Sequence, residues 1–144
     1  MSKFVAFDIE TTEVVEGDVP NSNITVAVTE TSDGETLCWM SWLSSENVTC
    51  PCSHAELKKR LISYVDEFVD KEETPMVALP QLSNDDVVNL YMYIGKKINQ
   101  GYVISTWNGA SFDFQVLAHM LLRATRQDLY SRCVKIANGR PHID

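Results

Sequence analysis

The sequence predicts a single α/β domain that spans residues 1–144, a mixed β-sheet flanked by helices. Three observations support this class: a short apolar run near the N-terminus, a β-hairpin signal after it, and helical periodicity that then alternates with further β-type runs. The inferred order β-β-β-α-(β)-α-β-α is typical of an α/β layer fold. A chain of 144 residues is long enough for one domain with a substantial hydrophobic core.

The first three predicted strands form a central strand and a hairpin. Residues 3–9 are mostly apolar and predict a buried central strand. Residues 24–30 alternate and are rich in β-branched side chains, which predicts a second strand. Because Asp33-Gly34 is a strong hairpin signal, we expect residues 35–43 to return antiparallel to that strand.

The middle of the chain predicts a helix and an extended segment. Ser53 and Glu56 form a capping box, and apolar residues at helical spacing continue to about residue 71. Residues 74–82 are an apolar run bracketed by prolines. That pattern fits either an edge strand or an extended connection.

A second helix is predicted over residues 84–100, with Ser83 as its N-cap and Gly101 at its end. Residues 102–107 are β-type and predict a strand. Apolar positions in residues 112–125 follow helical spacing and predict a third helix.

The C-terminal residues carry weaker patterns. Residues 126–141 fit a mixed helix or loop, and Asn138-Gly139 predicts a turn. We expect no closing element at His142-Ile143-Asp144.

The average composition does not suggest a basic, electrostatically driven surface for nucleic acid. The chain has 20 acidic and 12 basic side chains and a net charge of −8. Residues 1–107 hold 17 acids and 7 bases, a net of −10, whereas residues 108–144 hold 3 acids and 5 bases, a net of +2. The basic flank fits a polyanion-facing side or an ordinary solvated helix face. Its basic residues are Arg123, Arg126, Arg132, Lys135 and Arg140.

The apolar runs are all shorter than the ~20 residues that cross a bilayer. Acidic residues interrupt the N-terminal segment before an apolar stretch of signal-peptide length develops. We therefore expect an intracellular, cytoplasmic protein with no membrane partner and with reduced cysteines.

Two acidic residues stand at the end of the first predicted strand. Asp8 and Glu10 are positions i and i+2, so they should share one face of that strand. Like charges this close disfavour each other's ionisation, and a divalent cation removes the repulsion. Carboxylate oxygens suit Mg²⁺ or Mn²⁺. The alternative is a fraying strand end at which both acids are solvated.

A third acid follows the last predicted strand. Asn108-Gly109 suits a sharp turn from strand to helix, and Asp113 then falls in the first turn of the helix. Open α/β sheets bind their ligands just beyond the carboxyl ends of strands. The alternative is that Asp113 serves as a partner of the helix dipole.

Together, the segments FDIETT (residues 7–12) and WNGASFD (residues 107–113) resemble the first two motifs of the DEDD, or DnaQ-like, 3′-5′ exonucleases. They are similar to the exonuclease domains of family B DNA polymerases and to free-standing relatives. The resemblance covers about residues 4–144 and implies a ribonuclease H-like fold with two Mg²⁺ or Mn²⁺ ions.

The resemblance also implies roles for individual residues. Asp8, Glu10 and Asp113 would be the catalytic metal ligands, with Asp8 bridging the two ions. Thr11 and Asn108 would bind substrate. The implied reaction is hydrolysis of phosphodiester bonds at single-stranded DNA or RNA 3′ ends by two-metal catalysis. Such activity belongs to DNA replication or repair, alongside a protein partner that the sequence does not identify.

The third motif of the family, His-x4-Asp or Tyr-x3-Asp, has no match in this sequence. We therefore expect a C-terminally incomplete domain, either because the chain is truncated or because the final helices have been lost, with weak or no activity. We also expect an uncovered apolar face that favours a homo-oligomer. The alternative function is a non-catalytic binding or interaction module that keeps a ribonuclease H-like fold.

The cysteines raise one further alternative, a zinc-stabilised adaptor. Cys38, Cys50, Cys52 and His54 lie close in sequence. However, Cys-x-Cys is tighter than the usual zinc spacing, and a paired second half is missing. Ordinary reduced thiols are the favoured interpretation.

Overall fold

The computed structural model describes residues 3–11, 21–41, 50–59, 81–107, 112–139 and 141–144. Within these ranges the chain forms a six-stranded mixed sheet flanked by helices, which confirms the predicted α/β class. The strands are β1 (Phe4–Thr11), β2 (Ile24–Thr31), β3 (Thr36–Trp39), β4 (Cys52–Ser53), β5 (Val103–Ser105) and β6 (His142–Ile143). The helices with both ends described are α1 (Asn84–Asn99), α2 (Asp113–Arg123) and α3 (Gln127–Ala137).

The strand order across the sheet is β4-β3-β2-β1-β5-β6. The first four strands along the chain pair antiparallel with one another, whereas β1, β5 and β6 run parallel. The carboxyl ends of β1, β5 and β6 therefore lie at one edge of the sheet, which we call the carboxyl edge. This edge is where an open α/β sheet binds ligands.

The central position predicted for β1 is confirmed, because this strand lies between β2 and β5. The prediction that it is buried is wrong for one of its two faces. Val5, Phe7 and Ile9 are buried, but Asp8 and Glu10 are exposed on the opposite face. The reason is that a strand in a mixed sheet buries one face in a core while the alternate side chains face away from it.

The predicted hairpin is also confirmed. β2 and β3 pair antiparallel, and Gly34 turns the chain with a φ of +96° that favours glycine. β3 ends at Trp39, earlier than predicted. Ser41 leaves the sheet to contact the start of α1, where its hydroxyl donates to Asp86 and accepts from the backbone N–H of Ser83. These contacts draw the chain away from β2.

Both predicted helix N-caps form. The Ser83 hydroxyl accepts the backbone N–H of Asp86 at 3.1 Å at the start of α1. The Ser53 hydroxyl accepts the backbone N–H of Glu56 at 3.2 Å, and residues 54–59 are helical. The rest of that helix, and residues 74–80 of the predicted extended segment, lie outside the described residues.

The C-terminal part is more ordered than predicted. Helix α3 occupies most of the segment expected to be mixed helix or loop. The expectation that no element closes the sheet is wrong, since β6 pairs parallel with β5. Gly139 permits this turn, because a Cβ there would lie 2.8 Å from the Lys135 carbonyl oxygen. β5 itself is shorter than predicted, because its ladder with β1 and β6 covers three residues.

Helix α2 packs its apolar face into the main core. Its buried apolar residues are Phe114, Val116, Leu117, Ala118, Met120 and Leu121. In the same core, the Phe114 ring lies 5.4 Å from the Phe7 ring of β1. This packing fixes the start of α2 over the parallel strands. No helix within the described ranges is long and apolar enough to cross a bilayer.

Two neighbouring leucines of α2 test this packing. Leu121 is fully buried, whereas the adjacent Leu122 is 40 % exposed. Leu121→Ala should lower the free energy of unfolding by about 2–5 kcal/mol, because it removes buried surface and leaves a cavity. Leu122→Ala is the matched control and should cost less than about 1 kcal/mol. Denaturant unfolding measures both. Equal losses would contradict this orientation of α2.

Candidate carboxylate site at the carboxyl edge

The fold brings acids from three separate elements to the carboxyl edge. Asp8 and Glu10 lie near the end of β1, and Asp113 is the first residue of α2. Asp144 directly follows β6. Because β1, β5 and β6 are parallel, these positions converge although they are far apart in sequence. We call these four acids the carboxylate site.

Asp113 is the buried member of the carboxylate site. It is 3 % exposed, and its Oδ2 has no hydrogen-bond partner in the part of the chain that the structure describes. Burial is the main cause that raises the pKa of Asp113 to about 7, together with the charges of Asp8, Asp144 and Glu10 and against a lowering by its own backbone N–H. A position in the first turn of a helix should favour the charged carboxylate. Burial and the three neighbouring acids therefore outweigh the helix dipole.

Asp8 and Glu10 form the exposed part of the site. They share the exposed face of β1, as their i and i+2 spacing predicts. Asp8 Oδ1 accepts the backbone N–H of Ile9 at 3.0 Å. The register with β2 shifts between Glu10 and Thr11, and the Thr25 hydroxyl donates to the Glu10 carbonyl at 3.2 Å. These contacts fix the backbone that carries both acids.

Asp144 is the member that sequence reasoning missed. The β5–β6 register pairs Ser105 with Ile143, so the next residues along, Thr106 and Asp144, also lie side by side. The Thr106 hydroxyl donates to Asp144 Oδ1 at 3.1 Å. The only signal in the sequence was an acid after two residues without a strand pattern. Its place depends on long-range pairing with β5.

Phe7, Phe114 and His142 form a group of ring contacts next to Asp113. The Phe114 ring centroid lies 4.8 Å from that of His142 in an edge-on arrangement and 5.4 Å from that of Phe7 in a tilted one. His142 Nδ1 donates to the Ala137 carbonyl at 2.7 Å, and its Nε2 contacts the Thr106 hydroxyl. These contacts connect α2, α3, β1 and β6.

The two predicted substrate-binding residues have different outcomes. Thr11 is half-buried at the end of β1, next to Glu10. Asn108 lies outside the described residues. Across the described ranges, no group of three or more His, Cys, Asp or Glu side chains forms a preformed metal cluster. The four acids are therefore coupled through their charges without forming a closed ligand cage there.

The cysteines proposed as alternative zinc ligands, Cys38, Cys50 and Cys52, have the chemistry of ordinary thiols. Cys38 and Cys52 face each other across β3 and β4, and none of the four cysteines forms a disulfide bond. Burial raises the pKa of Cys38 to about 11 and that of Cys50 to about 12. Such thiols stay protonated at neutral pH, whereas metals bind the thiolate. His54 is exposed on the helical turn that follows.

Two of the basic residues have partners within the chain. The Arg123 guanidinium donates to the Ser22 carbonyl at 2.8 Å and to the Asn23 side chain at 2.7 Å. Arg126 pairs with Asp128, and both side chains are largely solvated. These contacts favour a structural role for Arg123 and a solvated surface role for Arg126. Arg140 lies outside the described residues.

Comparisons with known proteins give no assignment. No protein-family model matches the chain, and neither a curated protein nor a solved structure is significantly similar to it. A functional hypothesis therefore depends on the two sequence motifs and on the geometry of the carboxylate site.

The raised pKa of Asp113 predicts how stability depends on pH. Its pKa is about 7 in the folded chain, against an ordinary value of 3.8, so between these values the folded chain binds more protons than the unfolded chain. This contribution to stability is therefore complete below the ordinary pKa and is lost as the pH rises through about 7. In EDTA at pH 8, Asp113→Asn should stabilise the fold by up to about 4 kcal/mol, at about 1.4 kcal/mol per pKa unit.

Denaturant unfolding between pH 4 and pH 8 measures the effect. Asp85→Asn is the control, since Asp85 also lies in a first helical turn but is exposed. That variant should keep the wild-type fall in stability. If Asp113→Asn showed the same fall as the wild type, the electrostatic description of the site would be wrong.

Proposed function

We propose that this chain is a metal-dependent 3′-5′ exonuclease domain of the DnaQ-like, ribonuclease H-like type. It would hydrolyse phosphodiester bonds at single-stranded DNA or RNA 3′ ends. The observation that carries the proposal is Asp113, a buried carboxylate beside other acids whose Oδ2 has no hydrogen-bond partner among the described residues. Burying an unpaired carboxylate is costly, and such groups cluster at functional sites. A bound cation accounts for the arrangement better than a structural role does.

The donor set fits a hard divalent cation. Asp8, Glu10 and Asp113 offer carboxylate oxygens, which Mg²⁺ and Mn²⁺ prefer, and the first two are accessible from solvent. These three residues would hold the ions. When bound, a pair of such ions would lower the pKa of a water molecule and stabilise the leaving oxygen of the phosphodiester.

The chain's own contribution is to fix and orient these acids. Asp113 is carried by a helix whose apolar face is buried in the core, and Asp8 by a strand in the interior of the sheet. Sites on such elements are held more precisely than sites on loops. Both ring nitrogens of His142 have hydrogen-bond partners, so His142 orients its neighbours and is not placed as a general base.

An exposed aromatic side chain supports a nucleic-acid substrate. Trp107 is 90 % exposed and lies just beyond β5, at the same edge as the acids. Indole rings stack on nucleobases without regard to sequence. A strand stacked on Trp107 would bring a neighbouring phosphate towards the carboxylate site. The four acids repel that phosphate unless cations are bound, so substrate binding should require metal.

Residues 1–144 contain no His-x4-Asp or Tyr-x3-Asp motif, and we expect this polypeptide to turn over slowly. General base catalysis alone contributes about 10²–10⁴-fold to rates. With Mn²⁺ and excess protein, we expect slow shortening of a single-stranded oligonucleotide from its 3′ end. Asp8→Ala should abolish it, while Glu30→Ala, which removes an exposed acid of β2, should not. Gel analysis of 5′-labelled substrate measures the products.

Calorimetric titration separates this proposal from the non-catalytic binding module. We expect the wild type to bind Mn²⁺ and to bind a nucleoside monophosphate more tightly in its presence. Asp8→Ala should weaken both events. If millimolar Mn²⁺ gave no binding, the metal site would be refuted. Metal-independent binding of the nucleotide would favour the interaction module.

Trp107 provides an independent test of the substrate class. In Ca²⁺, Trp107→Ala should weaken binding of a fluorescent single-stranded oligonucleotide by about 1–3 kcal/mol, the usual value of one stacked base. Trp107→Phe should retain part of that affinity. Met92→Ala is the control, since Met92 is also exposed but lies on α1. Fluorescence anisotropy measures all four proteins, and equal affinities would exclude stacking on Trp107.

A further inference from the structure

A cavity runs along the middle and the C-terminal half of α1. Its volume is about 920 Å³, within the range of roughly 300–1,000 Å³ that small-molecule sites occupy. Helices α1 and α3, which both contribute to its walls, end a few residues before the parallel strands β5 and β6 begin. The C-terminal halves of these helices therefore lie near the amino ends of the strands, across the sheet from the carboxyl edge. We call this space the α1 cavity.

Much of the described wall of the α1 cavity is aromatic or aliphatic. Trp39, Tyr91, Tyr93, Ile98 and Ile136 all line it. The centroids of the Trp39 and Tyr93 rings lie 5.5 Å apart in a tilted arrangement. Aromatic rings pair favourably with other rings in offset or edge-on geometries. The walls therefore suit a ligand that contains an aromatic ring.

One position in this wall carries no side chain. Gly95 lies in the interior of α1 and lines the cavity, and no atom of the described residues lies within 4 Å of a Cβ built there. Its φ is not positive, so neither packing nor backbone conformation requires glycine at this position. Glycine inside a helix is less stable than alanine. A ligand that occupies the space of a residue-95 side chain would account for this choice.

Three cationic side chains, Lys96, Arg132 and Lys135, line the same cavity, and all three are exposed. Within the described ranges none of these side chains forms an ion pair, and the described lining residues include no acid. Lys96 and Lys135 lie in last helical turns, where they also offset the partial negative charge of the helix ends. Arg132 precedes the last turn of α3. This local excess of positive charge, in a chain of net charge −8, fits an anionic ligand.

The Tyr91 hydroxyl offers a further polar contact. Tyr91 is 6 % exposed and lines the cavity, but its hydroxyl forms no hydrogen bond with the described residues. Hydroxyls of buried tyrosines usually have a hydrogen-bond partner. An acceptor oxygen on a ligand in the cavity would provide one.

We propose that the α1 cavity binds a small aromatic anion, a molecule with a ring system and one carboxylate, sulfonate or phosphate group. The ring packs against the aromatic wall, in the space beside Gly95. The anionic group pairs with Arg132 and Lys135 and accepts the hydrogen bond of Tyr91. The site is independent of the proposed exonuclease function, because none of these residues belongs to the carboxylate site.

The test uses the whole chain and two fluorescent probes of similar shape. Anilinonaphthalenesulfonate is an aromatic anion, and phenylnaphthylamine is its uncharged counterpart. The wild type should bind the sulfonate probe at a single site and more tightly than the uncharged probe. Added salt should weaken only the binding of the sulfonate, because salt screens exposed charges. A wild type that binds neither probe, or that binds both equally, would overturn the proposal.

The cations are tested by a double variant. Arg132→Gln with Lys135→Gln should weaken binding of the sulfonate probe by about 3- to 30-fold, as expected for two partly solvated ion pairs, and should leave the uncharged probe unaffected. Lys58→Gln with Lys59→Gln is the matched control, since both lysines are exposed and lie outside the cavity lining. The control should bind both probes like the wild type. Equal losses in the two double variants would reveal a net-charge effect and would contradict the proposal.

Gly95→Leu tests the space itself. Leucine favours the helix more than glycine does, so the melting temperature should be retained or raised. The new side chain should fill the cavity and abolish binding of both probes. Ser131→Leu adds the same side chain at an exposed position of α3 outside the cavity lining, and it should bind like the wild type. Wild-type affinity in folded Gly95→Leu would refute the site.

Tyr91→Phe removes only the hydroxyl. It should weaken binding of the sulfonate probe by about 2- to 10-fold, the usual effect of one hydrogen bond. Unchanged affinity would overturn the contact assigned to Tyr91. Asp8→Asn, which alters the carboxylate site, should bind both probes like the wild type, and a loss there would show that the two sites are not independent.

Discussion

The Phe114 ring, packed between Phe7 and His142, is the contact on which the carboxyl edge depends. It joins the first turn of α2 to the central strand β1 and to the closing strand β6. Asp113 precedes Phe114 by one residue, and both side chains are buried. The parallel pairing of β1, β5 and β6 then brings the remaining acids alongside. The packing of the core and the pairing of the parallel strands therefore also position the acids.

The burial of Asp113 among other acids lowers the stability of the fold at neutral pH. Exclusion of water and the nearby charges of Asp8, Asp144 and Glu10 raise the pKa of Asp113 to about 7. In metal-free protein, the core must offset this repulsion. The buried face of α2, with residues such as Leu117 and Leu121, supplies apolar burial of the required kind. Proteins often carry such local electrostatic strain where a ligand is later bound.

Cation binding by the carboxylate site would explain how an acidic chain could bind the proposed polyanionic substrate. A net charge of −8 argues against binding nucleic acid through lysine and arginine alone. Arg123, the first basic residue of the C-terminal flank, is engaged with Ser22 and Asn23. In the proposed function, cations at the carboxylate site meet the phosphate, and the exposed Trp107 meets a base. Phosphate binding by cations and base stacking on Trp107 would then use different residues at the carboxyl edge.

Local features of this protein could be predicted from its sequence, because their causes act over a few residues. The Asp33-Gly34 turn, the Ser53 and Ser83 caps and the shared face of Asp8 and Glu10 each depend on neighbours in the chain. The tertiary structure alone decided the half-burial of β1, the two-residue strand β6 and the arrival of Asp144 beside Thr106. A strand that short has no periodicity of its own. It forms because its backbone pairs with β5, which lies some 40 residues earlier in the chain. No local sequence pattern specifies such pairing.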